Sequence, residues 1–94
     1  MIEIQQLASG DPAIFRVTIR DARGESRHRV SLNSQTLERL APPGTPPECL
    51  VDAAFRYLLE REPRDSILPS FDIQAISLFF PAFERDIGHY IAQH

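Results

Sequence analysis

The chain has no lysine, one cysteine, only four glycines and no apolar run long enough to span a bilayer. With a single thiol, Cys49, no intramolecular disulfide can form, and the expectation is a reducing, cytoplasmic compartment. Nor is there a signal-peptide pattern at the start, so no membrane role is expected. The scattered glycines leave no glycine-rich loop to cradle a phosphate, and there is no Gly-x-Ser-x-Gly elbow to present a nucleophilic serine. Internal repeats, linkers and low-complexity tracts are missing too. All ten basic residues are arginine, which points to genome composition more than to function.

What is present suits one small globular domain over residues 1–94. Of its residues 43% are hydrophobic and 24% charged, an ordinary balance for a folded chain. A domain of this size buries a little over ~60% of its unfolded surface, enough for a single core. Net charge is −3, unevenly spread. Residues 1–41 carry six arginines against five acids, and residues 42–94 carry four against eight. The acidic balance disfavours nucleic acid as the main partner, because phosphate contacts dominate such binding. It leaves room for a local basic face.

The strongest local signal runs from Thr45 to Glu62, TPPECLVDAAFRYLLERE. Thr45 followed by Glu48 has capping-box spacing, and Pro46 suits the first helical position. Leu50, Ala54 and Leu58 form one i, i+4 row and Val51, Phe55 and Leu59 the next, giving a broad apolar stripe. Glu48, Asp52, Arg56 and Glu60 line the far side, where neighbours can pair. Pro63 ends the helix at Glu62. Arg61 and Glu62 point along the apolar stripe. Either the last turn runs past the core, or the following segment supplies partners for these charges.

Ahead of this helix the pattern is that of strands. Ile2-Glu3-Ile4-Gln5 alternates, and Ser9-Gly10-Asp11-Pro12 breaks the chain. In Ala13–Arg20, Phe15, Val17 and Ile19 face one way and Arg16, Thr18 and Arg20 the other. Asp21-Ala22-Arg23-Gly24 reads as a hairpin turn with Gly24 at positive φ. On the return strand His28, Val30 and Leu32 oppose Arg27, Arg29 and Ser31. With the apolar faces together, Arg16, Arg20, Arg27 and Arg29 share the outer face as a basic plaque. It is a solvated surface or, as a candidate site, a face for an anionic partner. His28, in the apolar register, reads as a partly buried neutral side chain.

The remainder reads as helices. Asn33 or Ser34 caps a short helix pinned by Leu37 and Leu40. Asp65 caps a brief turn before Pro69. Ser70 or Asp72 opens a helix carrying Ile73, Ile76, Phe79 and Phe80. Pro81 starts the last helix, with Phe83, Ile87, Tyr90 and Ile91 on one side and Gly88 weakening it by about 1 kcal/mol. The fold class expected is α+β: a small antiparallel sheet of two or three strands in a β-meander over 1–33, then three to five helices over 34–94 packed on one of its faces.

Chemistry finds few candidates. Cys49 lies in the first turn of the central helix, where a thiol can be mildly activated, but a small core residue is the simpler reading. Asp86 and His89 stand at i, i+3 without a third ligand at a recognisable spacing, and His94 is close to the terminus, so no metal site, cofactor or catalytic residue is expected. Phe79 and Phe80 are adjacent and cannot both face inward on a narrow stripe. Phe79, Phe80 and Phe83 therefore form a candidate interaction patch.

Two resemblances accompany these readings. The run AAFRYLLEREPRDSIL…FDIQAISLFFPAFE, with HRVSL…LERL…TPPECL before it, resembles a small bacterial family of uncharacterised proteins that share an "FxFLLEREPxxSIL", "FD", "YFP"-like signature. The likeness covers about Phe15 to Glu84, with Phe79 where the signature has tyrosine. The family has no established activity, so the likeness implies a bacterial origin and nothing about catalysis. Arg29-Val30-Ser31-Leu32, a short helix, a turn and AAFRYLLERE are similar to ribbon-helix-helix regulators, repressors and antitoxins whose strand pairs with a dimer mate and enters the major groove. That likeness would make Arg27, Arg29 and Ser31 base-reading positions. The hairpin partner before the strand, the acidic balance and the long tail after Pro63 depart from it. The function expected is a non-enzymatic protein–protein interaction module that can form a homodimer. A DNA-binding or antitoxin-type regulator is the alternative.

Overall fold

The computed structural model describes residues 1–93; His94 lies outside them. The fold is α+β, with a four-stranded sheet and four helices. The strands are β1 (Ile2–Ala8), β2 (Ala13–Asp21), β3 (Gly24–Leu32) and β4 (Ser70–Asp72), in spatial order β1-β2-β3-β4. The helices are α1 (Ser34–Leu40), α2 (Pro47–Leu59), α3 (Ile76–Phe79) and α4 (Phe83–Ala92). Short 3-10 turns cover Arg64–Ser66 and Ile73–Ala75.

The hairpin follows the alternation of its side chains. Phe15, Val17, Ile19, His28, Val30 and Leu32 are all buried on the inner face. Asp21 pairs with Gly24 across the turn, and Gly24 has φ +147°, where a side chain would be strained. The Asp21 carboxylate steadies the turn by accepting hydrogen bonds from the Arg23 and Gly24 amides. β1 joins the sheet antiparallel to β2, from Ile2 opposite Ile19 to Ala8 opposite Ile14, with an irregularity between Gln6 and Ala8.

The sheet differs from expectation in its fourth strand. β4 lies parallel to β3, pairing Arg29 with Ser70, Val30 with Phe71 and Ser31 with Asp72. It comes from the part of the chain that reads as helical. Three residues are too few for alternation to show, and Asp72 still does what a helix cap does, since its side chain accepts from the Gln74 amide to start the 3-10 turn.

α2 supplies the centre of the core. Leu50, Val51, Ala53, Ala54, Phe55, Tyr57 and Leu58 are buried. Its start shifts from expectation. Pro46 is the cap residue and Pro47 the first helical one, while the Thr45 hydroxyl donates to the Pro42 carbonyl at 2.7 Å and caps nothing. Its regular part ends at Leu59, ahead of Pro63, and Arg61 falls in the turn that follows. Arg61 meets partners there: its guanidinium lies 3.5 Å from the Tyr57 ring centroid and donates to the Tyr57 carbonyl and to Tyr90. Tyr90 sits on α4, so the cation closes the α2–α4 seam. Arg56 pairs with Asp52 at 2.8 Å and reaches the Tyr90 carbonyl at 2.7 Å, bridging the same two helices.

Asn33 caps α1, its side chain accepting from Thr36 at 2.8 Å. Asp65 does not cap the turn that holds it; it pairs instead with Arg64. α4 begins at Phe83, two residues after Pro81, with Phe83 and Ile87 buried. The Tyr57 ring stands edge-on to Phe83, Phe80 and Tyr90, with centroids 5.2, 6.2 and 5.3 Å away.

Candidate functional site

Two surfaces stand out, and Phe71 of β4 borders both. The first is an apolar groove of about 280 Å³ between the end of α2, the segment leading into β4, and α3. Leu58, Ile67 and Ile76 are its buried residues, Phe71 and Phe80 are half-buried, and Glu62 and Ser66 contribute polar atoms. Leu68 and Phe79 stand exposed beside it, with Leu78 next along the chain; Phe79 is 67% exposed and Leu78 82%. α3 is one turn long, so adjacent residues point in different directions. Ile76 enters the core, Phe80 leans on Tyr57, and Leu78 and Phe79 are left outside.

The Phe79, Phe80 and Phe83 patch therefore divides. Phe79 and Phe80 border the groove, but Phe83 is 0% exposed and packs on Tyr57. Leu68, Phe71 and Leu78 were not signalled as surface residues by the sequence. Their places depend on β4, which has no periodic signature.

The second surface is the outer face of the sheet, where Arg16, Arg20, Arg27 and Arg29 are all exposed and on one side. They are not equivalent. Arg20 pairs with both Glu3 and Glu25, and Arg27 with Glu25 at 3.1 Å. Arg16 and Arg29 face each other directly across β2 and β3, and neither has a carboxylate partner among the described residues. Gln5 and Ser70 extend the same row on β1 and β4. Next to Arg29 is a polar recess of about 300 Å³ lined by Ile14, Ser31, Ser70, Phe71 and Asp72, in which Ser31 donates to Asp72 at 2.6 Å.

Other titratable groups serve the fold. His28 is buried, with Nδ1 2.7 Å from the Leu68 carbonyl and Nε2 2.8 Å from the Ser26 hydroxyl. A carbonyl only accepts, so Nδ1 carries the proton and the serine hydroxyl donates to Nε2 in the neutral ring. Arg64, only 9% exposed, donates to Asp21 at 3.0 Å and to Asp65 at 2.9 Å. It fastens the β2–β3 turn to the segment after α2. That hydrogen bond, with the Arg23 amide, holds the Asp21 carboxyl below its usual range. Likewise Ser34, through hydroxyl and amide, lowers Asp11 and ties the β1–β2 turn to α1. Cys49 is half-buried. His89 is exposed and Asp86 pairs with Arg85. Among the described residues no three His, Cys, Asp or Glu side chains gather as a metal site, and no helix is long and apolar enough to cross a membrane.

Compared with family models, curated proteins and solved structures, the chain matches none.

Proposed function

We propose that the chain is a non-enzymatic protein–protein interaction module whose partner seats in the groove bordered by Leu68, Phe79 and Phe80. One observation carries this reading: Leu68 and Phe79 are held out of the core and line an apolar groove. Exposed apolar patches of this kind mark interaction sites in folded domains. At about 280 Å³, the groove is at the lower limit for small-molecule sites. It suits one or two apolar side chains of a partner segment better than a cofactor. Glu62 puts a negative charge on its border, which favours a partner with a basic residue beside its apolar anchor. A second copy of the chain is one such partner, because exposed Phe79 and the groove belong to the same patch, as a two-fold contact requires. Membership of the small bacterial family with the "FxFLLEREPxxSIL" signature, and a cytoplasmic location, belong to this proposal.

The test is affinity capture from cells in which the chain is native, with wild type and Phe79→Asp as paired baits and ultracentrifugation of both. The reading requires a bound protein or a self-associated species that the variant loses while its circular dichroism is unchanged. Identical recovery and identical mass for the two baits would sink it.

A ribbon-helix-helix regulator is the second reading, carried by the exposed Arg27 and Arg29 on β3. It has less support, since β3 is paired with β2 on one side and β4 on the other. The free strand edge that such a dimer uses is therefore taken. It requires a dimer whose DNA affinity falls steeply with salt.

A further inference from the structure

We infer that Arg16 and Arg29 form a binding site for a single phosphoryl group on a side chain of a partner protein. The site lies on the outer face of the sheet and rests on other observations than the apolar groove, although Phe71 lines both the groove and the recess beside Arg29. The first argument is charge. Two guanidiniums directly opposite on neighbouring strands have Cβ atoms about 5 Å apart, and like charges so placed are destabilising. The fold relieves this elsewhere on the same face, where Glu3 and Glu25 take up Arg20 and Arg27. At Arg16 and Arg29 it supplies no carboxylate among the described residues. Two exposed arginines at opposed strand positions, with five N–H donors each, suit one compact group with three acceptor oxygens and close to two negative charges. A single carboxylate would leave one of the two charges over.

The second argument concerns what surrounds the pair. Glu3 and Glu25 bound the positive spot towards the hairpin turn, and Asp72 bounds it on the side of β4. A nucleic-acid backbone carries a charge every ~1.7 Å of duplex and would meet these carboxylates as soon as it met the arginines. The spot takes one anion, not a polyanion.

The third argument concerns the recess beside Arg29. On an open sheet face, two exposed arginines alone hold a free phosphate weakly. The recess of about 300 Å³ lined by Ile14, Ser31, Ser70, Phe71 and Asp72 offers further contacts to whatever is attached to the phosphoryl group. Asp72 gives that recess a negative charge, so a basic residue adjacent to the phosphorylated one is the matching neighbour.

The experiment is an NMR titration of the full chain that follows the Nε–Hε signals of its arginines. Four probes are compared: a short phosphoserine peptide with an adjacent arginine, the same peptide without phosphate, inorganic phosphate, and a short DNA duplex. The expected result is saturable movement of the Arg16 and Arg29 signals with the phosphopeptide and none with its unphosphorylated form. Arg16→Gln and Arg29→Gln should each weaken binding about tenfold, the loss of one charged hydrogen-bond set. Both positions are exposed, so unchanged amide spectra will show that the variants fold. Asp72→Asn should narrow the preference for the arginine-bearing phosphopeptide over one with alanine in its place. Equal movement of the Arg23 and Arg85 signals would overturn the site as non-specific. Equal affinity for inorganic phosphate would overturn the protein partner, and tighter binding of the duplex would overturn the single-anion reading.

Discussion

The β2–β3 hairpin with α2 and the segment from Pro63 to Phe80 are built in opposite ways. In the first region each element is long enough to have a period, and the period assigns most side chains to the core or to solvent; Thr18, on the outer register between Arg16 and Arg20, is buried all the same. Phe15, Val17 and Ile19 go in and Arg16 and Arg20 stay out because strand geometry alternates them. In the second region a 3-10 turn, a three-residue strand, another 3-10 turn and a one-turn helix follow one another. None is stable by its own hydrogen bonding. The first turn and the strand are held by contacts with the first region: Arg64 on Asp21, the Leu68 carbonyl on His28, the Pro69 carbonyl on the Arg29 amide, Phe71 against Phe55. A segment fixed from outside need not bury all its apolar residues. Leu68, Leu78 and Phe79 are the ones it leaves exposed, and Leu68 and Phe79 line the groove.

The sharpest way to test this contrast is to cut one phenylalanine buried on a periodic element and one left exposed by the segment after Pro63. Phe83 is fully buried against Tyr57. Phe83→Ala should cost about 3–5 kcal/mol of stability, read from urea denaturation. A loss under ~1 kcal/mol would mean that the α2–α4 seam is not part of the core. His28→Leu comes next. It removes the donor for the Leu68 carbonyl and the acceptor for the Ser26 hydroxyl, partly buried hydrogen bonds worth about 0.5–1.5 kcal/mol each. Hydrogen exchange should show faster opening of Ser70–Asp72 than of β2 in this variant. Uniform acceleration would mean that His28 supports the whole sheet and not its last strand.

The two regions also differ in how far the sequence discloses them. The hairpin, the positive φ of Gly24, a cap at Asn33 or Ser34 and the buried face of α2, apart from Ala53 and Tyr57 outside the two apolar rows, follow from alternation, helical spacing and turn chemistry. So did the placing of all four arginines on one face, because that needs only the register of a two-strand ribbon. β4 was hidden, since Ser70-Phe71-Asp72 carries no alternation and its partner β3 is about forty positions away. The Arg64–Asp21 ion pair spans a similar separation, and no local pattern marks Arg64 among ten arginines. At α2, two consecutive prolines fit the start equally well by composition. The Thr45 hydroxyl settled on the Pro42 carbonyl, and the helix began one residue later than capping-box spacing suggests. The surface role of Phe79 was half legible, because two adjacent rings cannot share one narrow stripe. Phe83 belonged to the neighbouring helix, and its spacing with Ile87 was the better guide.

Acid should loosen the polar ties between elements, the Arg64–Asp21 link between the two regions among them, before it loosens the core. Asp21 is lowered by Arg64, Asp11 by Ser34, Glu84 by Arg39 and Glu25 by Arg20. A carboxyl that is more acidic in the folded chain than in the unfolded one stabilises the fold while it is ionised. The contribution is whole above the unfolded value, 3.8 for Asp21 and Asp11 and 4.5 for Glu25 and Glu84. It is lost as pH falls through the lower folded values. Urea midpoints should therefore be flat from pH 7 to about 5 as far as these groups are concerned, then fall. Asp21→Asn should lower the neutral-pH midpoint and make the acid fall shallower. An acid limb identical to that of wild type would mean that the Arg64 clamp adds nothing.

The smallest expected change in stability decides the most about function. Phe79 is 67% exposed and borders the groove without entering the core. Phe79→Ser removes little buried area, so stability should stay within about 0.5 kcal/mol of wild type, as for most surface substitutions. If Phe79 serves only packing, the variant should lose stability in proportion to lost contacts, and association should be unaffected. If it serves an interface, stability should hold while the groove's partner is lost, since interface anchors carry binding energy that the free monomer does not use. Denaturation of Phe79→Ser alongside Phe83→Ala, with ultracentrifugation of both, separates these outcomes. A large destabilisation by Phe79→Ser would return the groove to the core and remove the basis for treating the segment after Pro63 as an interaction surface.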